Sequence, residues 1–133
     1  MSKSGNTPDV DEVAKVLYIE DNFANIKLMQ DIFSEFLPYV LLSASSAEQG
    51  IELTKQEKPD LILMDINLDG MTGYQALEII KNDSDIASIP VIAISADVIP
   101  GQNNEGVAEG FVDYISKPFD LTDLIARLKQ HLG

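Results

Sequence analysis

From Val16 onward the chain alternates between two kinds of segment, and this alternation restricts the fold more than any other feature. Short apolar runs stand at Val16–Ile19, Val40–Leu42, Leu61–Met64, Val91–Ile94 and Phe111–Ile115. Each is too short for a helix and most are rich in β-branched residues, which suits buried strands of a parallel sheet. Between them lie amphipathic patterns. Ile26, Met29, Phe33 and Phe36 recur at spacings of three and four behind the cap-forming Asn22. Phe23, Phe33 and Phe36 are expected to form a core stripe. Ser45 with Glu48 forms a capping-box pattern ahead of Ile51 and Thr54, and Thr72 with Gln75 forms another ahead of Leu77 and Ile80. Leu121, Leu124, Ile125, Leu128 and Leu132 trace one stripe behind Asp120 as N-cap. Arg127, Lys129 and His131 sit near that helix's end, where its dipole favours cations. His131 is assigned that dipole role and no chemistry. A further helix is expected over Gln102 to Gly110, where Asn103, Asn104, Gly106 and Gly110 weaken the propensity.

Five strands alternating with five helices predict an α/β doubly wound fold, a parallel sheet with helices on both faces. Residues 1–15 are polar, contain Gly5, Asn6 and Pro8, and read as a tail or linker; residues 16–133 read as one domain.

Charge narrows the function. Nine Lys and Arg against 22 Asp and Glu give a net charge of −13, which argues against direct nucleic-acid binding and against docking on an anionic membrane. A 45% hydrophobic share still permits a core. The chain has no cysteine, which removes disulfides, a thiol nucleophile and Cys-ligated zinc. The first residues lack the apolar stretch of a signal peptide, and no run approaches the ~18 apolar residues of a membrane span. A cytoplasmic location is expected.

Ligands of doubly wound sheets gather at the carboxyl ends of the strands, so the residues there carry the functional reading. The first run leads directly into Glu20 and Asp21. The third ends on Asp65, the fourth on Ser95 with Asp97 soon after, and the fifth is followed by Ser116, Lys117 and Pro118. Taken singly, each has a plain alternative: a helix N-cap for Glu20-Asp21, a loop acid for Asp65, a turn residue for Ser95, a solvated side chain for Lys117. Jointly they bring three carboxylates, a hydroxyl and an ammonium to one rim. Crowded carboxylates repel unless a positive charge sits between them, and Mg²⁺ takes such oxygen ligands together with phosphate and water. Mg²⁺, a lysine and a hydroxyl suit a phosphoryl group. With no cysteine and no histidine nearby in sequence, the nucleophile would be a carboxylate, giving an aspartyl phosphate.

These residues are also those through which the chain resembles the receiver domains of bacterial response regulators, the CheY-like family. The resemblance covers residues 16–132 and is carried by Val16-Leu-Tyr-Ile-Glu-Asp21, Pro59-Asp-Leu-Ile-Leu-Met-Asp65, Ile89-Pro-Val-Ile-Ala-Ile-Ser-Ala96 and Gly110-Phe-Val-Asp-Tyr-Ile-Ser-Lys-Pro-Phe119. It implies a five-stranded sheet in the order 2-1-3-4-5. It further implies that Asp65 is the phosphorylated aspartate, and that Asp21, Asp65 and the backbone carbonyl of Asn67 ligate Mg²⁺, for which Mn²⁺ can substitute. Glu20 would act largely through water. Ser95 matches the switch hydroxyl, Lys117 the phosphoryl-binding lysine, and Tyr114 the aromatic that moves with the switch. Pro118 would follow a cis peptide bond, and Asn67 and Asp97 would tune hydrolysis. The implied partners are a histidine kinase or a histidine phosphotransfer protein, and a downstream protein docking on the fourth helix, fifth strand and fifth helix. The Tyr-Ile-Glu-Asp-Asn opening is similar to receivers of hybrid histidine kinases.

Two departures stand out. Asp69 occupies a place where the family often has proline. From Asn82 through Ser116 there is no Lys or Arg but six acids: Asp83, Asp85, Asp97, Glu105, Glu109 and Asp113. That face is therefore expected to be uniformly negative, with only Arg127 and Lys129 to offer in return, so the chain is expected to remain a monomer. Two rival readings fit less well. A haloacid-dehalogenase-type phosphatase needs Asp and Thr where Asn67 and Asp69 stand. A flavodoxin-like cofactor binder needs a Ser/Thr/Gly-rich loop where Glu20-Asp21-Asn22-Phe23 would repel phosphate.

Overall fold

A computed structural model describes residues 13–96 and 110–133 of the chain. The strands are β1 (Lys15–Ile19), β2 (Val40–Ala44), β3 (Leu61–Asp65), β4 (Val91–Ser95) and β5 (Asp113–Ser116). The helices are α1 (Phe23–Phe36), α2 (Ala47–Glu57), α3 (Gly73–Lys81) and α4 (Leu121–Leu132). The helix expected over 102–110 lies, apart from its last residue, outside the described residues, as does Asp97. The last helix, expected as a fifth, is thus α4 here. None of the described helices is long and apolar enough to cross a membrane.

All neighbouring strands pair in parallel, in the order β2-β1-β3-β4-β5. The two-residue period of a strand divides the apolar runs between two cores. Val16 and Tyr18 of β1, Leu61 and Leu63 of β3, and Ile92 and Ile94 of β4 face the layer containing α1 and α4. Leu17 and Ile19, Ile62 and Met64, and Val91 and Ala93 face α2 and α3. A strand buried on both sides has no polar positions to alternate with, which is why these runs are continuously apolar.

Caps set where the helices begin. Asn22 accepts from the Asn25 backbone, Asp120 from Asp123, and Thr72 and Gln75 cap each other reciprocally. The second capping expectation is corrected by one residue. Ser46 is the N-cap and accepts from the Gln49 backbone, while the Gln49 side chain reaches back to Ser45. The expected phenylalanine stripe is also corrected: Phe33 is buried, but Phe23 is 80% and Phe36 49% exposed. Ile26, Met29 and Ile32 complete the buried face of α1 instead. Phe23 stands at the first helical position, open to solvent.

Candidate functional site

Strand register places the rim. Ile19 pairs with Met64, and Asp65 with Ile94. One residue beyond Ile19 puts Glu20 level with Asp65. Ser95 pairs with Ser116, so Lys117 leaves the sheet one step past Ser95, whose carbonyl accepts the Lys117 backbone N–H at 3.1 Å. The Lys117–Pro118 peptide bond is cis.

The side chains meet as their backbones direct. Lys117 Nζ lies 3.0 Å from Glu20 Oε1 and 3.0 Å from Asp65 Oδ2. Glu20 is 1% and Asp65 3% exposed, whereas Asp21 is open to solvent. The other Asp65 oxygen, Oδ1, accepts the backbone N–H of Asn67 at 3.0 Å. Glu20, Asp21 and Asp65 each present a carboxylate oxygen, all within 4.8 Å of one another. One ammonium against three carboxylates leaves two negative charges unbalanced. A small divalent cation with a preference for oxygen fits that donor set and that charge.

Burial by itself would lower the Lys117 ammonium pKa. Its hydrogen bonds to Glu20 and Asp65, with their negative charge, outweigh burial and raise it. Lys117 is thereby kept charged between the two carboxylates it must neutralise. Glu20 is more fully engaged than its sequence position suggests. Its Oε1 also accepts from the Tyr18 hydroxyl at 2.8 Å and from Asn25 Nδ2 at 3.3 Å, and its Oε2 accepts the Asn22 backbone N–H at 3.1 Å.

The remaining residues fall as follows. Ser95 is buried at the end of β4. Tyr114, half-buried on β5, packs edge-on against Phe111 with ring centroids 6.4 Å apart. Asn67 is exposed, and Pro118 lies at the surface. Asp69 contributes its backbone rather than its carboxylate, its N–H donating to Asp21 Oδ2 at 2.9 Å. A proline in that place would have no N–H to give. Tyr18, Asn25 and Gly73 are participants that motif reading passed over. The signal for Tyr18 was present: a hydroxyl-bearing side chain two residues before Glu20 on the same strand face. Gly73 sits so close to β3 that an added Cβ would stand 2.7 Å from the Asp65 carbonyl oxygen.

The expected uniformly negative face is corrected in two places. Asp113 pairs with Arg127 Nη1 and lies 3.1 Å from His131 Nε2, and Asp83 lies 4.0 Å from Lys55 Nζ. Arg127 also bonds Asp123 one turn earlier. His131 is therefore a partner of Asp113 as well as a residue of the last helical turn. The two contacts of Asp113 and the one of Asp83 join residues that do not share an element, which periodicity cannot reveal.

Comparison with known proteins agrees with this arrangement. Residues 16–129 match the model of the response regulator receiver domain. The polar-differentiation response regulator DivK of Brucella ovis is 35% identical over 118 residues, covering 89% of this chain and 95% of that protein. The receiver domain of a sensor histidine kinase from Pseudomonas aeruginosa, solved with a magnesium ion coordinated in its active site cleft, is 26% identical. It superposes with a TM-score of 0.78 over 91% of this chain and 98% of that one. The chemotaxis response regulator CheY4 of Vibrio cholerae, 22% identical, shares the fold with a TM-score of 0.79 over 90% of this chain and 98% of its own. With the sheet order, the acidic rim and these likenesses in agreement, the chain belongs to the response regulator receiver domains of two-component signalling.

Proposed function

We propose that Asp65 accepts a phosphoryl group from a phosphohistidine of a histidine kinase or histidine phosphotransfer protein. The observation that carries this reading is the Lys117 ammonium held 3.0 Å from both Glu20 and Asp65 beside the three-carboxylate cluster. An Asp65 oxygen attacks phosphorus. The O–P bond forms as the P–N bond breaks, and that bond's electron pair leaves on the imidazole nitrogen. Asp21, Asp65 and the Asn67 carbonyl, with Glu20 acting through water, would hold Mg²⁺, or Mn²⁺ in its place, which when bound would neutralise charge at the phosphoryl oxygens.

Lys117 stays with the group being transferred and bonds one of its oxygens. Ser95 turns toward the acquired phosphoryl group, Tyr114 follows, and Asn67 and Asp97 set the lifetime of the product. The new group adds about −1.5 to −2 charge at neutral pH. That change alters the face of the expected fourth helix, β5 and α4, on which a downstream protein docks. Beyond gaining and losing its own phosphoryl group the chain catalyses nothing, and it works in the cytoplasm, where such donors are found. Transfer from a radiolabelled phosphohistidine donor protein tests this. Label should pass to the wild type and not to Asp65→Ala; label on the variant would refute the assignment.

A further inference from the structure

We infer that Tyr18 is a positioning residue for phosphoryl acceptance, its hydroxyl fixing Glu20 as the anchor of Lys117. Tyr18 is fully buried on β1, with its ring in the core shared by α1 and α4. Because side chains two apart on a strand share a face, its hydroxyl reaches Glu20, donating to Oε1 at 2.8 Å. That is the same oxygen to which Lys117 Nζ donates at 3.0 Å. Tyr18 also meets the far side of the Lys117 turn. Phe119 packs edge-on against its ring, with centroids 6.5 Å apart.

One rigid side chain, held by the core, therefore touches both the acid that anchors the lysine and the turn that carries it. Oε1 accepts from Tyr18, Lys117 and Asn25, and Oε2 from the Asn22 N–H, so both Glu20 oxygens are oriented by protein donors. Glu20 so oriented holds the Lys117 ammonium beside Asp65. An aliphatic residue at position 18 could fill the core but would leave Glu20 Oε1 with one fewer donor and a looser hold on Lys117.

The inference rests on the proposed phosphoryl acceptance, and its test separates the two. Wild type, Tyr18→Phe, Asn25→Ala and Asp65→Ala are compared for Mg²⁺ affinity by calorimetry and for phosphorylation rate at saturating acetyl phosphate and Mg²⁺. Tyr18→Phe keeps the ring, and its fold is checked by circular dichroism. It should lower the saturated rate about 10-fold while changing Mg²⁺ affinity by less than about fivefold. A group acting through the cation would instead cost about 10–100-fold in affinity. Asn25→Ala, removing the longer bond, should cost less than Tyr18→Phe. In the cation-free protein, the Lys117 side-chain NMR signals should shift or broaden in Tyr18→Phe. An unchanged rate with unchanged Lys117 signals would overturn the inference. So would a loss borne wholly by Mg²⁺ affinity, or an Asn25→Ala effect as large as that of Tyr18→Phe. Failure of the wild type itself to take up phosphate would instead defeat the proposed function.

Discussion

Gly73→Ala should damage the site from behind. Gly73 opens α3, and its backbone N–H donates to the Ile66 carbonyl at 3.1 Å. A Cβ there would stand 2.7 Å from the Asp65 carbonyl oxygen, 2.9 Å from Ile66 Cα and 3.2 Å from Met64 Cγ. Ordinary contact begins near 3.4 Å, so backbone must retreat by about 0.7 Å, and the two nearest atoms belong to the strand end that carries Asp65. Overpacking of this kind costs ~1–3 kcal/mol, offset by ~0.5 kcal/mol because alanine loses less chain entropy than glycine. The net loss of ~0.5–2.5 kcal/mol should lower Tm by about 2–10 °C. Because a displacement of this size misaligns Asp65, phosphorylation should slow at least about 10-fold. Gly50→Ala is the control. Its Cβ would meet Ile19 Cδ1 at 2.3 Å and Cγ1 at 2.7 Å, a closer approach but to side-chain atoms rather than to the backbone that carries Asp65. It should cost stability and leave the phosphorylation rate nearly intact. Thermal melts and acetyl phosphate kinetics on both variants decide the matter. If Gly73→Ala matches the wild type in both, the close approach of α3 to Asp65 is not what positions it.

Three further outcomes follow from the same contacts. Lys117→Met leaves Glu20, Asp21 and Asp65 without their ammonium, so the cation-free variant should lose ~1 kcal/mol, the side chain being 23% exposed. Mg²⁺ should then raise its Tm more than it raises that of the wild type, and equal responses would contradict the charge argument. At high pH, Tyr18 and Lys117 should destabilise the fold. Burial, then the charge of Glu20, pushes the Tyr18 hydroxyl well up; Lys117 is raised by its carboxylate partners against burial. Both groups hold their protons more tightly when folded. Their contribution is complete below the ordinary values of 10.0 and 10.5 and is lost as pH rises past them, by at most ~1.4 kcal/mol per pH unit for each. Urea midpoints should fall above pH ~10, less steeply in Tyr18→Phe; a rise would sink the account. Finally, Arg127 is already held by Asp113 and Asp123 of its own chain, so beryllofluoride activation should leave the protein monomeric in sedimentation. A salt-sensitive dimer through that face would refute this.

Much of the fold is legible in the sequence because doubly buried strands leave an unmistakable trace. Their runs are apolar throughout, and residues one or two places beyond the first, third and fifth runs reach the rim. Glu20, Asp65 and Lys117 were found this way, and their separations of 45 and 52 residues are closed by strand register alone. Edges are less legible. Ser45 and Ser46 are chemically equivalent as caps, and only the turn out of β2 decides that Ser46 serves. Phe23 and Phe36 fit the helical spacing, yet the apolar face of α1 is narrower than the pattern, so both emerge into solvent. Asp113 and His131 lie on different elements, and nothing in either segment announces the other. Tyr18 hid in plain composition, since a tyrosine in a buried strand reads as core until its hydroxyl needs an acceptor.

The central claim is that Asp65 is the phosphoryl acceptor of a site made by Glu20, Asp21 and Lys117. Intact mass after incubation with acetyl phosphate and Mg²⁺ tests it most directly. The wild type should gain ~80 Da, the mass of one phosphoryl group, and should gain nothing when Mg²⁺ is chelated before the donor is added. Asp65→Ala should gain nothing. An equal gain on Asp65→Ala, or none on a folded, Mg²⁺-loaded wild type, would contradict the account.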